Sequence, residues 1–354
     1  MRPWGDLPGD DPKCDREATE AAIEAAGIDL DPTPPSGRRH GQGQDAERPG
    51  DHAHPHEQSR PGESPIIGIV GAGAVGTALG VALSRAGWPI HAVASRDATR
   101  RERFRSLVEV SRAFVDPEPL VEEVELIILA VPDDVIGPLA STLRMYSGQA
   151  MIHTSGALGA DALAPAMAAG TQVGSFHPLV AFADTERAVA ALHGATIAIE
   201  ADDQLAAMLA SMAEAIGATG VRLAPGAKAA YHAAAVLAAG GFVALLDAIA
   251  ELGRVAGLDE AGSLAIYGRL IEGTLDNARV LGIGPALTGP ITRGDLGTLG
   301  FHLDALQTHA PGVMELYVAA ARREVELAEG RGALGPEAAA AMRRALDDAL
   351  ARAD

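Results

Sequence analysis

The sequence predicts an α/β fold: a doubly wound parallel sheet followed by an all-α C-terminal domain, with a disordered N-terminal extension in front. Three observations predict it. From Ile66 to Leu223, short and nearly continuous apolar runs alternate with helical segments, the pattern of strands covered on both faces. After Pro225 the strand signals stop and only helical periodicity remains. Residues 1–64 hold 9 of the 22 prolines, 8 glycines and a single aromatic, Trp4, too little to bury a core. The expected divisions are therefore 1–64, 65–225 and 226–354, in keeping with roughly 150 residues per domain in a chain of 354.

Composition narrows the function classes. Hydrophobic residues make up 48% and charged residues 21%, an ordinary globular balance, but aromatics are only 3%, so the core is expected to be small and aliphatic. A net charge of −19 disfavours nucleic acid and anionic membranes as partners, and leaves room for a small anionic substrate held by a few local cations. Cys14 is the single cysteine, which excludes an internal disulfide and a cysteine-based zinc cluster and suits a reducing cytoplasm. The start of the chain has no apolar signal-peptide run. The uniformly apolar stretch 233–246 spans 14 residues where a membrane-crossing helix needs about 20, and reads as a buried core helix.

Taken in order, Ile66–Val70 is the first strand and Gly71-Ala72-Gly73-Ala74-Val75-Gly76 opens a helix that Gly87 closes. Strands follow at Ile90–Ala94, Leu126–Val131, Ala150–His153, Val173–Phe176, Thr196–Glu200 and Val221–Leu223. Helices are expected at 227–256, 259–280, 295–309, 312–329 and 336–352. In the extension, His52, His54 and His56 form an alternating tract that reads as solvated low-complexity sequence rather than a metal site.

The glycine run has the strand–turn–helix context of a dinucleotide site. Gly71 permits the tight turn, Gly73 lets backbone approach a pyrophosphate, and Gly76 lets the helix pack on the strand. The backbone of Gly71 to Gly76 and the helix N-terminus then face the phosphates. Where an NAD enzyme carries an acidic residue, at the end of the second strand, this chain has Ser95 and Arg96, followed by Arg100 and Arg101. Such a pair suits a 2′-phosphate, so NADP(H) is the expected cofactor. Val131 and Pro132, ending the next strand, are placed to line the nicotinamide or form an ordinary turn.

His153-Thr-Ser155-Gly and Ser175-Phe-His177-Pro end neighbouring strands on one side of the sheet, making Ser155 and His177 candidate substrate ligands; an ordered loop histidine is the alternative for His177. Lysine is rare. Of 28 basic residues only Lys13 and Lys228 are lysines, and Lys228 shares a helix face with His232 four residues on. A desolvated lysine can give a proton to an alkoxide as hydride reaches a carbonyl, which makes Lys228 the candidate acid and His232 its helper, with a surface lysine and a core histidine as the alternatives. In the helical region Arg293 could pair with a substrate carboxylate, Asp295 is an expected helix N-cap, and Asn277, the only asparagine, is either a site residue or a helix-end cap.

Together, Gly71–Gly76, HTSGA from His153, SFHPL from Ser175, KAAYHAAAV from Lys228 and LTGPITRGD from Leu287 resemble bacterial proteins that join a Rossmann-like NADP domain to the DUF2520 domain. These belong to the superfamily of 6-phosphogluconate dehydrogenase, ketopantoate reductase and pyrroline-5-carboxylate reductase. The resemblance covers about residues 65–330. It implies a Rossmann-type sheet, an oxidoreductase, a helical substrate and dimerisation domain, and a homodimer through the C-terminal helices. In the superfamily a Lys followed four residues later by Asn often acts as proton donor; Lys228 matches the Lys, and His232 stands where Asn would be. The chain departs at Gly240-Gly241, where a polar pair would be usual. The leading expectation is NADPH-dependent reduction of a small 2-oxo acid, ketopantoate first; an imine reductase and a non-catalytic NADP-binding regulator are the alternatives.

Overall fold

The computed structural model describes residues 64–110, 112–168, 170–182, 185–224 and 226–353. Residues 1–63 of the expected N-terminal extension, with Lys13, Cys14 and the histidine tract, lie outside the described residues.

Eight strands form one sheet: β1 (Ile67–Val70), β2 (Ile90–Ala94), β3 (Arg112–Phe114), β4 (Leu126–Leu129), β5 (Ala150–His153), β6 (Gln172–Pro178), β7 (Thr196–Ala201) and β8 (Thr219–Arg222). Their spatial order is β3-β2-β1-β4-β5-β6-β7-β8. The first six follow the 3-2-1-4-5-6 order of the doubly wound dinucleotide fold, and the order reverses between β1 and β4. All four residues of each of β1, β4 and β5 are buried, as apolar runs covered on both faces require.

Two features depart from the sequence expectation. β3 is an edge strand of three residues, two of them exposed, and so carries no apolar run to signal it. The sheet is also not parallel throughout, because β7 runs antiparallel to β6 while β8 is parallel to β7. The link from β6 to β7 starts and ends at one edge, with the Leu179 N–H bonded to the Thr196 carbonyl at 2.8 Å, so the chain re-enters in the reverse direction. Burial patterns are identical for both directions, which is why the alternation could not show it.

The helices α1 (Ala74–Arg85), α2 (Ala98–Leu107), α3 (Asp133–Thr142), α4 (Thr185–Leu192) and α5 (Asp203–Ala215) pack around this sheet. One face is covered by a cluster joining Ile67, Ile69, Ile128 and Ile152 to Leu79, Leu83, Phe104, Leu192 and Leu209. The other joins Val70, Leu129 and Met151 to Leu120, Ile136 and Leu163. Small aliphatics dominate both clusters, as the composition requires.

The chain divides into two compact units after Ala235. The first two turns of α6 (Lys228–Val236) therefore belong with the sheet. A π turn at Leu237–Gly241 leads into α7 (Phe242–Val255), and α8 (Glu260–Leu281), α9 (Leu296–His309), α10 (Met314–Gly330) and α11 (Pro336–Ala353) follow. The second unit has its own core. Leu299, Leu303 and Leu306 meet Val318, Ala321, Val325 and Ala328 and Met342 and Leu346, each set at the three-to-four-residue spacing of one helix face.

The apolar stretch 233–246 is not a buried core helix. Leu237 is 72% and Val243 64% exposed, because the second unit's core is assembled mainly from α9, α10 and α11. The helix Lys228–Val255 is also long and apolar enough to cross a membrane by length and composition. No atom lies within 4 Å of a Cβ built on Gly240, so a helix of the same chain does not account for the glycine pair.

Candidate active site

At the end of β1 the backbone turns at Gly71 with φ +107°, which favours glycine, and its N–H bonds the Ala94 carbonyl of β2 at 2.8 Å. A Cβ on Gly71 would lie 2.1 Å from the Ala130 carbonyl oxygen, and one on Gly76 would lie 2.0 Å from the Gly71 carbonyl oxygen. These two glycines thus let β4 and α1 close on the turn. Gly73 differs, since a Cβ there would meet nothing within 4 Å. It is the N-cap of α1, and no side chain caps that helix. Open backbone in front of uncapped N–H groups at a helix N-terminus fits a pyrophosphate. Ala72 is buried, Ala74 is exposed and Val75 half-buried along the same turn.

Beside it, Ser95 is half-buried and Arg96 exposed at the end of β2. The Arg101 guanidinium reaches back from α2 to donate to the Ser95 carbonyl. Asp97 caps α2 by accepting the Arg100 N–H at 3.0 Å, and Arg100 pairs with Asp97 at 3.4 Å. Arg96 therefore stands as the cation free of a hydrogen-bonded protein partner among these described residues, in the place suited to a 2′-phosphate. Val131 and Pro132 follow β4 across the switch point, with Pro132 preceding the first turn of α3.

Strand register aligns the second half of the site. Val70 pairs with Leu129, Leu129 with His153, His153 with Ser175, and Ser175 with Glu200, so one row of residues runs across the sheet beneath the glycine turn. Lys228, at the start of α6, meets this row: its Nζ donates to Ser175 Oγ at 2.7 Å. Lys228 is 3% exposed and Ser175 fully buried. Burial pulls the Lys228 pKa down from 10.5 to about 8, while the negative charges of Glu200 and Asp133 act in the opposite sense.

His232 lies one turn further along α6. A Cβ on Gly156 would come within 2.2 Å of His232 Nδ1 and 2.7 Å of His177 Nε2, so the HTSG turn is glycine where it presses on both rings. The His177 ring meets those of His232 and Tyr231 edge-on, at 5.6 Å and 5.8 Å. His177 Nδ1, His232 Nδ1 and the Tyr231 hydroxyl are buried without a hydrogen-bond partner among the described residues. Burial, and then the Lys228 charge, lowers the His177 pKa to about 4, so the ring is neutral near pH 7. Burial raises the Tyr231 pKa, leaving a neutral hydroxyl.

His153 and Ser155 do structural work. His153 Nδ1 accepts the Ser155 N–H at 3.2 Å, so Nε2 carries the hydrogen and donates to the Gly159 carbonyl at 2.9 Å. Ser155 Oγ accepts the N–H groups of Ala157 and Leu158 at 3.1 and 3.0 Å, which closes the turn and leaves its own hydrogen to donate. Asn277 and Arg293 belong to the second unit. Asn277 is exposed on α8, which continues to Leu281, so it does not cap the helix end. Arg293 is exposed on the turn before Asp295, whose carboxylate caps α9 through Thr298 N–H at 3.0 Å.

The structure thus brings together the glycine turn, Ser95, Arg96, Val131 and Pro132 in one place, and Lys228, His232, His177 and Ser155 in another, all in the first unit. Sequence reading passed over Ser175, Glu200 and Asp133 as individual groups. Ser175 was visible inside the SFHPL run, but its bond to Lys228 spans 53 residues. Glu200 faces Ser175 only because β7 is antiparallel to β6. Among the described residues, no group of three His, Cys, Asp or Glu side chains could hold a metal ion.

Two domain profiles match the chain, and their junction falls between residues 178 and 195, within the sheet and before the division after Ala235. A Rossmann-like domain profile matches residues 54–178, and the profile of the domain of unknown function DUF2520 matches residues 195–324. The chain is a Rossmann-like plus DUF2520 domain protein. A solved structure from Thermotoga maritima is 25% identical and superposes with a TM-score of 0.59 over 75% of this chain and 99% of that one. An NADP oxidoreductase candidate from Bacteroides fragilis is 24% identical, with a TM-score of 0.60 over 74% of this chain and 98% of its own. A pyrroline carboxylate reductase from Plasmodium falciparum, solved with NADP bound, shares the fold at 14% identity and a TM-score of 0.51, over 79% of this chain and 98% of its own. No curated protein sequence matches the chain.

Proposed function

We propose that this Rossmann-like plus DUF2520 protein is an NADP(H)-dependent oxidoreductase that reduces the carbonyl of a small 2-oxo acid, with ketopantoate as the first candidate. The observation that carries this reading is the buried Lys228 ammonium, held on Ser175 at the carboxyl edge of the sheet, in the row that passes beneath the glycine turn. Gly71–Gly76 would hold the pyrophosphate, Ser95 and Arg96 the 2′-phosphate, and Val131 and Pro132 would line the nicotinamide. NADPH, when bound, supplies the hydride. Lys228 holds a proton at Nζ and gives it to the substrate oxygen as negative charge develops there. The unpartnered His232 and His177 nitrogens and the Tyr231 hydroxyl hold the substrate's polar groups. A neutral His177 suits this role, since it can bond a hydroxyl or carbonyl without competing for the proton.

A second reading is an imine reductase, favoured by the structural likeness to a pyrroline carboxylate reductase. A cationic Lys228 opposes an iminium substrate, but near its pKa of about 8 part of the lysine is neutral. NADPH oxidation against ketopantoate, pyrroline-5-carboxylate and several 3-oxo acids separates the two. Turnover with the cyclic imine alone overturns the 2-oxo acid reading.

The same proposal takes the protein to be a cytoplasmic homodimer. Val236, Leu237, Val243, Leu270, Val280 and Phe301 are exposed on the helices after Ala235, large apolar side chains of the kind an interaction surface covers. A second copy of these helices supplies cover of the same chemistry.

A further inference from the structure

We infer that Ser175 and Glu200 are positioning residues for Lys228, the hydroxyl anchoring and aiming the ammonium and the cross-strand carboxylate keeping it charged. The inference rests on the reading of Lys228 as the proton donor. Two partners emerge from the geometry. Ser175 Oγ is the hydrogen-bond acceptor for Nζ, and both residues are closed to solvent, so the hydroxyl fixes where the proton points. Glu200 is the residue directly opposite Ser175 on β7. Its carboxylate oxygens lie 3.3 and 3.4 Å from a Cβ built on Gly159, beside the peptide whose carbonyl holds His153.

The other groups around Lys228 are Asp133 at the start of α3, His153 on β5, His177 on β6, and Tyr231 and His232 on α6 itself. Burial lowers the pKa of His153 and His177 and raises that of Tyr231, so these three are neutral donors or acceptors near pH 7. Only Asp133 and Glu200 favour the charged lysine, and Glu200 does so more strongly. Asp133 is exposed on the helix start, whereas Glu200 sits half-buried in the sheet row, where screening is weaker.

The chain offers a direct test, because it contains only two lysines, Lys13 and Lys228. Lysine labelled with carbon-13 beside Nζ gives two resonances, and a Lys13→Arg variant assigns them. The wild-type Lys228 signal should titrate with a midpoint near 8. Ser175→Ala and Glu200→Gln should each lower that midpoint by about one pH unit, cutting the protonated fraction at pH 8 from about a half to about a tenth. Glu200→Asp should restore most of it, and Asp133→Asn should move it less than Glu200→Gln. A variant that merely loosened the fold would expose the lysine and raise its midpoint toward 10.5, the opposite sign. An unchanged or raised midpoint in both Ser175→Ala and Glu200→Gln overturns the inference, as does an Asp133→Asn effect equal to that of Glu200→Gln. Turnover plays no part in these titrations. A chain that passes them yet oxidises NADPH with no carbonyl or imine would overturn the reductase reading and leave the Ser175 and Glu200 assignment standing.

Discussion

Lys228 and Ser175 are joined by a 2.7 Å hydrogen bond between two side chains closed to solvent. The bond connects the first turn of α6 to the sixth strand of the sheet. An exposed lysine would stay almost fully charged to about pH 9, whereas this one changes charge within reach of physiological pH. A buried ammonium with one aimed hydrogen bond suits proton donation, because losing the proton relieves the cost of burial.

Lys228→Ala should abolish turnover and leave NADPH affinity and self-association intact, because the hydrogen bond of its side chain goes to Ser175 on β6 and not to the glycine turn. In the wild type, reduction should proceed below about pH 8, where Nζ is protonated, and fall by about tenfold per unit above it. Near-wild-type turnover by Lys228→Ala on an identified substrate would show that another group gives the proton.

The three glycines of the turn should separate on substitution. Gly76→Ala places a methyl 2.0 Å from the Gly71 carbonyl and should lower the melting temperature and cofactor affinity together. Gly73→Ala has open space and should leave the melting temperature unchanged while weakening NADPH binding, since the methyl occupies the phosphate's approach. Thermal melts with and without NADPH read both effects.

Cofactor choice should rest on Arg96. NADPH should bind more tightly than NADH by about 1.5–3 kcal/mol, roughly tenfold to over a hundredfold, and Arg96→Ala should remove most of that difference. Equal wild-type affinities in calorimetry would contradict the assignment of the end of β2 to a 2′-phosphate.

Acid should destabilise the sheet unit through its histidines. His177 is lowered to about 4 from an ordinary 6.5, and His153 is lowered too, so the unfolded chain binds these protons more tightly than the folded one. The stability these groups contribute is present above pH 6.5 and is lost as pH falls toward 4. Urea midpoints across that range should fall with pH, and less steeply in a His177→Gln variant.

Self-association is tested by charge. Leu237→Glu with Val243→Glu should turn a dimer into a monomer in sedimentation, because a buried carboxylate pair facing its own symmetry copy is strongly unfavourable. A monomeric wild type at micromolar concentration would leave the exposed stripe without its second copy.

By itself the sequence determined the α/β class, the glycine turn, the run of C-terminal helices and the singling out of Lys228. Each of these is a local signal: apolar runs, glycines at fixed offsets, helical periodicity, or the scarcity of one residue type. Even the N-cap at Asp295 could be read from its neighbours. Tertiary structure alone decided the partners. β7 reverses direction with no change in burial pattern, and that reversal puts Glu200 opposite Ser175. Ser175 and Lys228 are 53 positions apart with no periodicity linking them, and only the packing of α6 on the sheet edge closes that distance. Likewise the apolar stretch after Ala235 looks the same in sequence whether its cover is intramolecular or a second chain. Hydrophobic patterning records that a surface is to be buried, but the direction of a strand and the identity of the covering surface depend on contacts between segments far apart in the chain.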